Sequence, residues 1–407
     1  MAKKTCVILG NASSVFVREL AMNWRSQGLE PIIVTKEKTS ERTLSDGTPI
    51  ITSNNSNKSW MRAKVSEYLF TFEYLLNKYY NKFLHINDNG KYYYTYEIIL
   101  SSKQLTKICQ SYQPLFVFGQ EAYVYGLATA LCKNTKRIIF PWGHEIFEYD
   151  KNSPLVKWLI KYNLINSDLI IPTSRQGAKY IVRKYHIDQR KVMSLSWGVN
   201  RNLFHPSNEI DRVKILRKYG VPEKALIFSS PRKFFKKWGC FIALDVFIRL
   251  AKENPNYYFF MAGGKDVGVD VDTAMNILRN EGLEKRIKIF SDEISKVEMA
   301  EILSVSSYSF SLVLTQDMRS ATILEMAASG TIPFVSNSSE FVSNLDEIKV
   351  IPVDPQDIED IVNKVHQYMA DIELRSSIVK HNLEFIKTNE DYRTQMQKLL
   401  NYCMKSN

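Results

Sequence analysis

Residues 311–337 read SLVLTQDMRSATILEMAASGTIPFVSN, and the alternation of apolar and polar runs within them sets the fold class. An apolar run ends at Leu314 as a strand would, polar residues follow, and a helical pattern starts near Ser320. Gly330 is placed to end that helix, and residues 332–335 open the next strand. Asp317 falls on the loop, and Glu325 lies one and a half turns into the helix. The backbone N–H groups of Ser320, Ala321 and Thr322 are expected at the helix N-terminus, where orphan donors and the helix dipole favour an anion. An acidic group on such a loop can hold sugar hydroxyls, and a glutamate on the adjoining helix can hold the diol of a ribose.

The same strand–helix alternation extends outward through the chain. In the second half, strands are expected at 225–229, 257–262, 286–290, 308–313, 332–335 and 349–351, with helices at 239–253, 299–304 and 320–328. In the first half, strands are expected at 5–9, 31–35, 115–118, 137–140 and 169–172, with a helix at 16–27. Short, fully apolar strands between amphipathic helices are the pattern of a parallel sheet covered on both faces. The polar, proline-containing run NLFHPSN at 202–208 separates the two halves. The expected architecture is α/β, with two Rossmann-like doubly wound domains in series, 1–205 and 206–385, facing a central cleft. The remaining residues, 386–407, belong to a tail that reads as helix from about 382 to 404.

Composition narrows the class. A chain of 407 residues with 45% hydrophobic and 24% charged residues is globular and long enough for two cores. The first apolar run, residues 6–9, is too short for a signal-peptide core, and no later run reaches about 18 residues. A cytoplasmic protein is therefore expected. The five cysteines, Cys6, Cys109, Cys132, Cys240 and Cys403, show no CxxC spacing and read as reduced structural thiols. The net charge of +11 is uneven: residues 1–205 carry 28 Lys and Arg against 15 Asp and Glu, whereas residues 206–407 carry 26 against 28. A basic first half attracts anions, whether nucleic acid, an acidic membrane face or a phosphorylated acceptor.

A second constellation lies at 229–239, SSPRKFFKKWG, where a predicted strand runs into Arg232, Lys233, Lys236 and Lys237. Cations at a strand end suit a diphosphate. A third stretch, SDLIIPTSRQGAKYIV at 167–182 followed by LSWGVNRNLFHP at 195–206, leads to the domain boundary. Together these motifs resemble the GT-B retaining glycosyltransferases of family 4 (glycosyl transferases group 1), most strongly between Ser167 and Asn337 and weakly before that. The resemblance rests on Asp317 and Glu325 as an acidic-x7-Glu motif and on Arg232 and Lys237 as Arg-x4-Lys. It implies that Glu325 holds the nucleotide ribose and Asp317 the donor sugar, while Arg232 and Lys237 neutralise the departing diphosphate. The chain departs from the family pattern in reading Asp-Met-Arg-Ser at 317–320 and in placing Trp238 where glycine is usual. No convincing metal-binding loop is present, so transfer from a UDP- or GDP-linked sugar without a metal or other cofactor is expected.

The acceptor side is read from the first half. Gly10-Asn11-Ala12-Ser13-Ser14 resembles the family's loop after its first strand, which implies that Gly10 approaches the donor phosphate as well as the acceptor, with small residues that permit close backbone approach. Trp142, Gly143, His144 and Glu145 resemble the family's Trp-Gly-Ser-Asp form. His144 or Glu145 is expected either to orient an acceptor hydroxyl or to close a hydrogen-bonded strand end. Residues 60–84 set aromatic and aliphatic side chains at helical spacing among lysines and arginines. Such a helix fits an anionic membrane surface, or the face of the sheet equally well. The expected acceptor is a saccharide or lipid-linked saccharide, in cell-surface glycan synthesis with peripheral attachment to the cytoplasmic membrane face. Three rival readings remain at this level: a GT-B sugar-nucleotide epimerase, a basic nucleic-acid-binding protein, and a glycosyltransferase-like scaffold that has lost activity. The second lacks a recognised binding motif, and no nucleic acid is expected as partner.

Overall fold

The computed structural model describes residues 4–53, 102–143, 145–149, 154–262, 268–290, 294–314, 320–344 and 346–405. The chain divides into two units, Met1–Leu195 with Lys398–Asn407, and Ser196–Gln397.

The first unit is built on strands β1 (Thr5–Leu9), β2 (Glu30–Thr35), β3 (Ile50–Thr52), β4 (Phe116–Gln120), β5 (Lys136–Phe140) and β6 (Leu169–Ile170). They form one sheet in the order β3-β2-β1-β4-β5-β6, with every pairing parallel. Successive residues of β4 point to opposite faces, and this places a helix on each. Phe116 and Phe118 meet the edge of Trp24 at 5.3 and 5.2 Å, and Trp24 belongs to α1 (Val15–Ser26). Val117, between them, packs with Tyr125 and Ala128 of α2 (Val124–Leu131). Burial on both faces explains why the strands read as unbroken apolar runs.

The second unit repeats the plan. Strands β7 (Leu226–Ser230), β8 (Tyr257–Met261), β9 (Ile287–Ile289), β10 (Tyr308–Ser311), β11 (Ile332–Ser336) and β12 (Ile351–Val353) form a parallel sheet in the order β12-β11-β10-β7-β8-β9. Its core is rich in aromatic rings: Phe228 stacks on Phe310 at 6.0 Å, and Phe247 of α4 (Cys240–Glu253) on Phe259 at 4.9 Å. Before α4, α3 (Glu209–Lys218) opens the unit on an Asn208 cap; after it, α5 (Ala321–Ala328) leads from the β10 side to β11. In both sheets the strand order reverses at one point, between β1 and β4 and between β7 and β10. In open parallel sheets, ligands bind outside the strand C-termini at that reversal.

Three features differ from the sequence expectation. The edge strand β3 is too short to show a periodicity. β4 runs on to Gln120, because Gly119 and Gln120 pair with Ile139 and Phe140 despite their weak strand preference. The helix expected over 382–404 is two helices, α6 (Ile372–Asn389) and α7 (Tyr392–Met404). At the break, Val199 donates to the carbonyl of Glu390 at 2.8 Å and accepts from the N–H of Tyr392 at 3.0 Å. This bridge takes backbone groups that a continuous helix would need. All five cysteines are buried free thiols. The amphipathic stretch at 60–84 lies outside the described residues, and among those described no helix is long and apolar enough to cross a membrane.

Candidate functional site

In the second unit, two loops leave the sheet beside the reversal point, one after β7 and one after β10. Arg232, two residues past β7, spans between them. Its Nε donates to Ser311 Oγ at 3.1 Å, and a terminal nitrogen donates to Ser320 Oγ at 2.8 Å. Lys236–Trp238 then form one turn of 3₁₀ helix, closed by Gly239 at φ +72°. A Cβ on Gly239 would sit 1.9 Å from the carbonyl oxygen of Leu312, so the turn packs against the β10 exit only because glycine is there. The N–H of Leu314 donates to the carbonyl of Lys237 at 3.0 Å and completes the lacing. The Trp238 ring lies 5.9 Å from the Arg232 guanidinium and 5.6 Å from the Lys237 ammonium. An indole at this range attracts cations, so Trp238 helps to hold both side chains at the turn.

Helix α5 begins at Ser320, whose side chain makes no capping bond to the helix and instead takes the Arg232 hydrogen bond. Among the described residues, the first-turn amides of α5 thus lack the usual side-chain acceptor. Ile323, Leu324, Met326, Ala327 and Ala328 are buried, whereas Ala321, Thr322 and Glu325 are half-buried. At about 100° per residue these last three share one face, so Glu325 stands on the side of the helix that carries its open N-terminus. Arg232, Lys237, Ser320, Ala321, Thr322 and Glu325 are therefore brought to one edge of this unit. Asp317 lies outside the described residues.

The first unit presents its own edge. Gly10 follows β1, donates to the carbonyl of Val34 at 3.2 Å, and is crowded by Val17 and Gln120. The Gln120 side chain is buried, and its Nε2 finds no acceptor among the described residues. Trp142 packs on Phe16 at 4.8 Å and Phe140 at 5.2 Å, with Gly143 next to it at φ +107°. Glu145 is buried, and its Oε1 accepts from the N–H groups of Ala122 at 3.1 Å and Trp142 at 2.8 Å. It ties the loop after β4 to the loop after β5, and burial pushes its carboxyl above the usual range. His144 lies outside the described residues.

Sequence reasoning missed the neighbours of Glu145. Glu121, at φ +115°, turns its carboxylate onto the N–H groups of Val124 at 2.5 Å and Tyr125 at 3.1 Å. Burial first, and the Glu145 charge second, push it up to about 7. Tyr125 in turn hydrogen-bonds Glu37, and lies 3.2 Å from Thr35 Oγ1. The only signal in the sequence was an acidic residue immediately after a strand. Ser320 was expected at the helix N-terminus, but its hydroxyl as an acceptor for Arg232, like that of Ser311, carried no sequence signal. Among the described residues no group of three or more His, Cys, Asp or Glu is arranged to hold a metal ion.

Residues 6–174 match the family described as Glycosyl transferase 4-like. The chain is 24% identical over 187 residues to D-inositol 3-phosphate glycosyltransferase of Corynebacterium glutamicum (strain R), a match that spans 43% of this chain and 44% of that protein. A glycosyltransferase from Rickettsia africae ESF-5 superposes with a TM-score of 0.71 at 17% identity, covering 99% of this chain and 98% of the other. Anabaena HepE, solved in complex with UDP and glucose, superposes with a TM-score of 0.75 at 11% identity, covering 98% and 99%. At such identities the solved structures show the shared fold, which is GT-B.

Proposed function

We propose, from the premise that this chain belongs to the Glycosyl transferase 4-like family, that it is a retaining glycosyltransferase drawing on a nucleotide-sugar. The observation that carries the reading is the span of Arg232 from β7 to Ser311 and Ser320, which sets a guanidinium beside the open N-terminus of α5. Two side-chain cations and a helix N-terminus suit a nucleoside diphosphate. UDP is bound in HepE, and UDP- or GDP-linked sugars are the donors proposed here.

In this mechanism Glu325 takes the ribose diol, Asp317 contacts the donor sugar, and Arg232 and Lys237 face the diphosphate. The bond from the anomeric carbon to the phosphate oxygen breaks, and its electron pair leaves with the diphosphate. Fixed positive charge at that point stabilises the developing anion and lowers the barrier without a metal. The acceptor oxygen forms its bond on the face that the diphosphate leaves, and its proton passes to the departing phosphate oxygen. Retention follows. Gly10 is proposed beside the donor phosphate, and Trp142, Gly143 and His144 as the acceptor side, with Glu145 fixing the loop that carries these three. The basic balance of residues 1–205 supports an anionic or lipid-linked saccharide acceptor, used on the cytoplasmic membrane face.

The test is transfer of a labelled sugar from UDP- and GDP-sugars to saccharide and lipid-linked acceptors in the presence of EDTA, with the product anomer read by proton NMR. A product of the donor's own configuration is expected. An inverted product, or epimerised donor without transfer, would overturn the reading.

A further inference from the structure

A second concavity lies at the opposite edge of the second unit's sheet, where β10 and β11 begin. Its volume is about 1100 Å³, and Ser307, Tyr308 and Ile332 form its floor. It is thus separated from Arg232 and Ser320 by the length of the strands. The charges that line it are strongly unequal. Arg201, Arg212, Arg375, Lys380 and Lys387 contribute five cations, and Glu384 is the one carboxylate, paired with Lys387 at 3.6 Å.

Two of these cations are built into the wall. Arg212 donates to the carbonyls of Val305 at 2.6 Å and Ala225 at 2.8 Å, and Arg375 donates to the Tyr308 hydroxyl at 3.0 Å. Both guanidiniums are half-buried and satisfied in part by neutral acceptors, so their hydrogen bonds do not cancel their charge. Arg375 Nε has no acceptor among the described residues. Neither has the hydroxyl of Ser329, a residue only 2% exposed. Val305 and Tyr308 are three positions apart, so both guanidiniums are anchored on one short stretch of chain at the entrance to β10. The carbonyls at the C-terminal end of α5 do not oppose an anion here at full strength. The N–H groups of Ser329, Gly330 and Thr331 bond back to Glu325, Ala327 and Met326.

We propose that this concavity binds a sugar-sized phosphomonoester, its phosphate taken by Arg212 and Arg375. Arginine matches phosphate geometry with paired donors. Ser304 and Ser376 offer hydroxyls for the body of the ligand, and Phe204, Pro206 and Val379 offer an apolar face for its ring. The site does not depend on the transferase reading, because its residues are not those of the donor edge.

The test is isothermal titration calorimetry of the full chain, in phosphate-free buffer, with glucose 6-phosphate, inorganic phosphate, glucose and phosphatidylglycerol vesicles. Glucose 6-phosphate is expected to bind more tightly than inorganic phosphate, with no heat from glucose. Arg375→Gln should weaken it at least tenfold. Lys380→Glu, on an exposed position that cannot disturb the core, should weaken it several-fold. Arg232→Ala should leave it unchanged. The proposal is overturned if wild type does not bind glucose 6-phosphate, or if binding survives Arg375→Gln and Lys380→Glu. It is likewise overturned if binding is lost in Arg232→Ala, or if only the vesicles bind.

Discussion

Arg232 donates to Ser320 Oγ at 2.8 Å, and so joins the loop after β7 to the residue from which α5 starts. The same side chain reaches Ser311 at the end of β10, so one guanidinium bridges the strands at which the sheet order reverses.

Arg232→Ala is expected to lower kcat/KM by at least about 100-fold, since a preorganised charge at a departing anion contributes on the order of 3 kcal/mol. Arg232→Lys should recover only part of this, because an ammonium cannot span Ser311 and Ser320 with separate nitrogens. Steady-state kinetics with the best donor, alongside an unchanged circular dichroism spectrum, checks both.

Gly239→Ala is expected to destabilise the protein by about 2–4 kcal/mol. The left-handed backbone costs roughly 1–2 kcal/mol for a residue with a Cβ, and overlap with the Leu312 carbonyl adds strain of about 1–3 kcal/mol. Gly282→Ala is the internal control: its φ is +65° but nothing lies within 4 Å of the new Cβ, so the backbone cost alone remains. Urea denaturation of the two variants should separate them clearly.

The Glu145 substitutions distinguish a positioning carboxylate from a proton carrier. Glu145→Gln keeps an acceptor for Ala122 and Trp142, and is expected to retain most stability and turnover. Glu145→Ala leaves two buried N–H groups unpaired and should cost about 2–5 kcal/mol. Loss of turnover in a stable Glu145→Gln would instead place the carboxylate in the proton transfer.

For Glu121 the sign of the pH effect follows from its raised value. An unfolded glutamate ionises near 4.5, whereas this one holds its proton to about 7. Between those values the folded state binds more protons, so wild-type stability falls as pH rises through that window and levels off above it. Glu121→Gln keeps an acceptor for Val124 and Tyr125 without the charge. Its stability gain over wild type should be near zero at pH 4.5 and reach about 1–3 kcal/mol at pH 8. Thermal melts across this range read it directly; a gain that does not change with pH would contradict the argument.

Much of the fold was legible because both sheets are buried on two faces, which makes strands such as TCVIL and LIFSS stand out as apolar runs. What periodicity could not show was set by single pairings: Gly119 and Gln120 in β4, or the Val199 bridge that breaks the tail helix at Glu390. The family match falls on residues 6–174, whereas the motifs quoted from the sequence were strongest from Ser167 onward. That half carries charged residues at fixed spacing, a pattern a reader notices, while the first half is marked by a strand framework with few such residues. In the candidate site, Arg232 and Glu325 could be found by charge and spacing. Ser311, Glu121 and the bond of the Ser320 hydroxyl to Arg232 could not, because a serine acceptor or an inward-turned carboxylate has no signature until the loops are folded.

The most direct test of the donor assignment is calorimetric titration of UDP and GDP, in EDTA, into wild type, Arg232→Ala and Glu325→Ala. One nucleotide is expected to bind wild type, with at least a tenfold loss in Glu325→Ala and a comparable loss in Arg232→Ala. Binding of neither nucleotide to wild type, or equal affinity in wild type and Glu325→Ala, would contradict it.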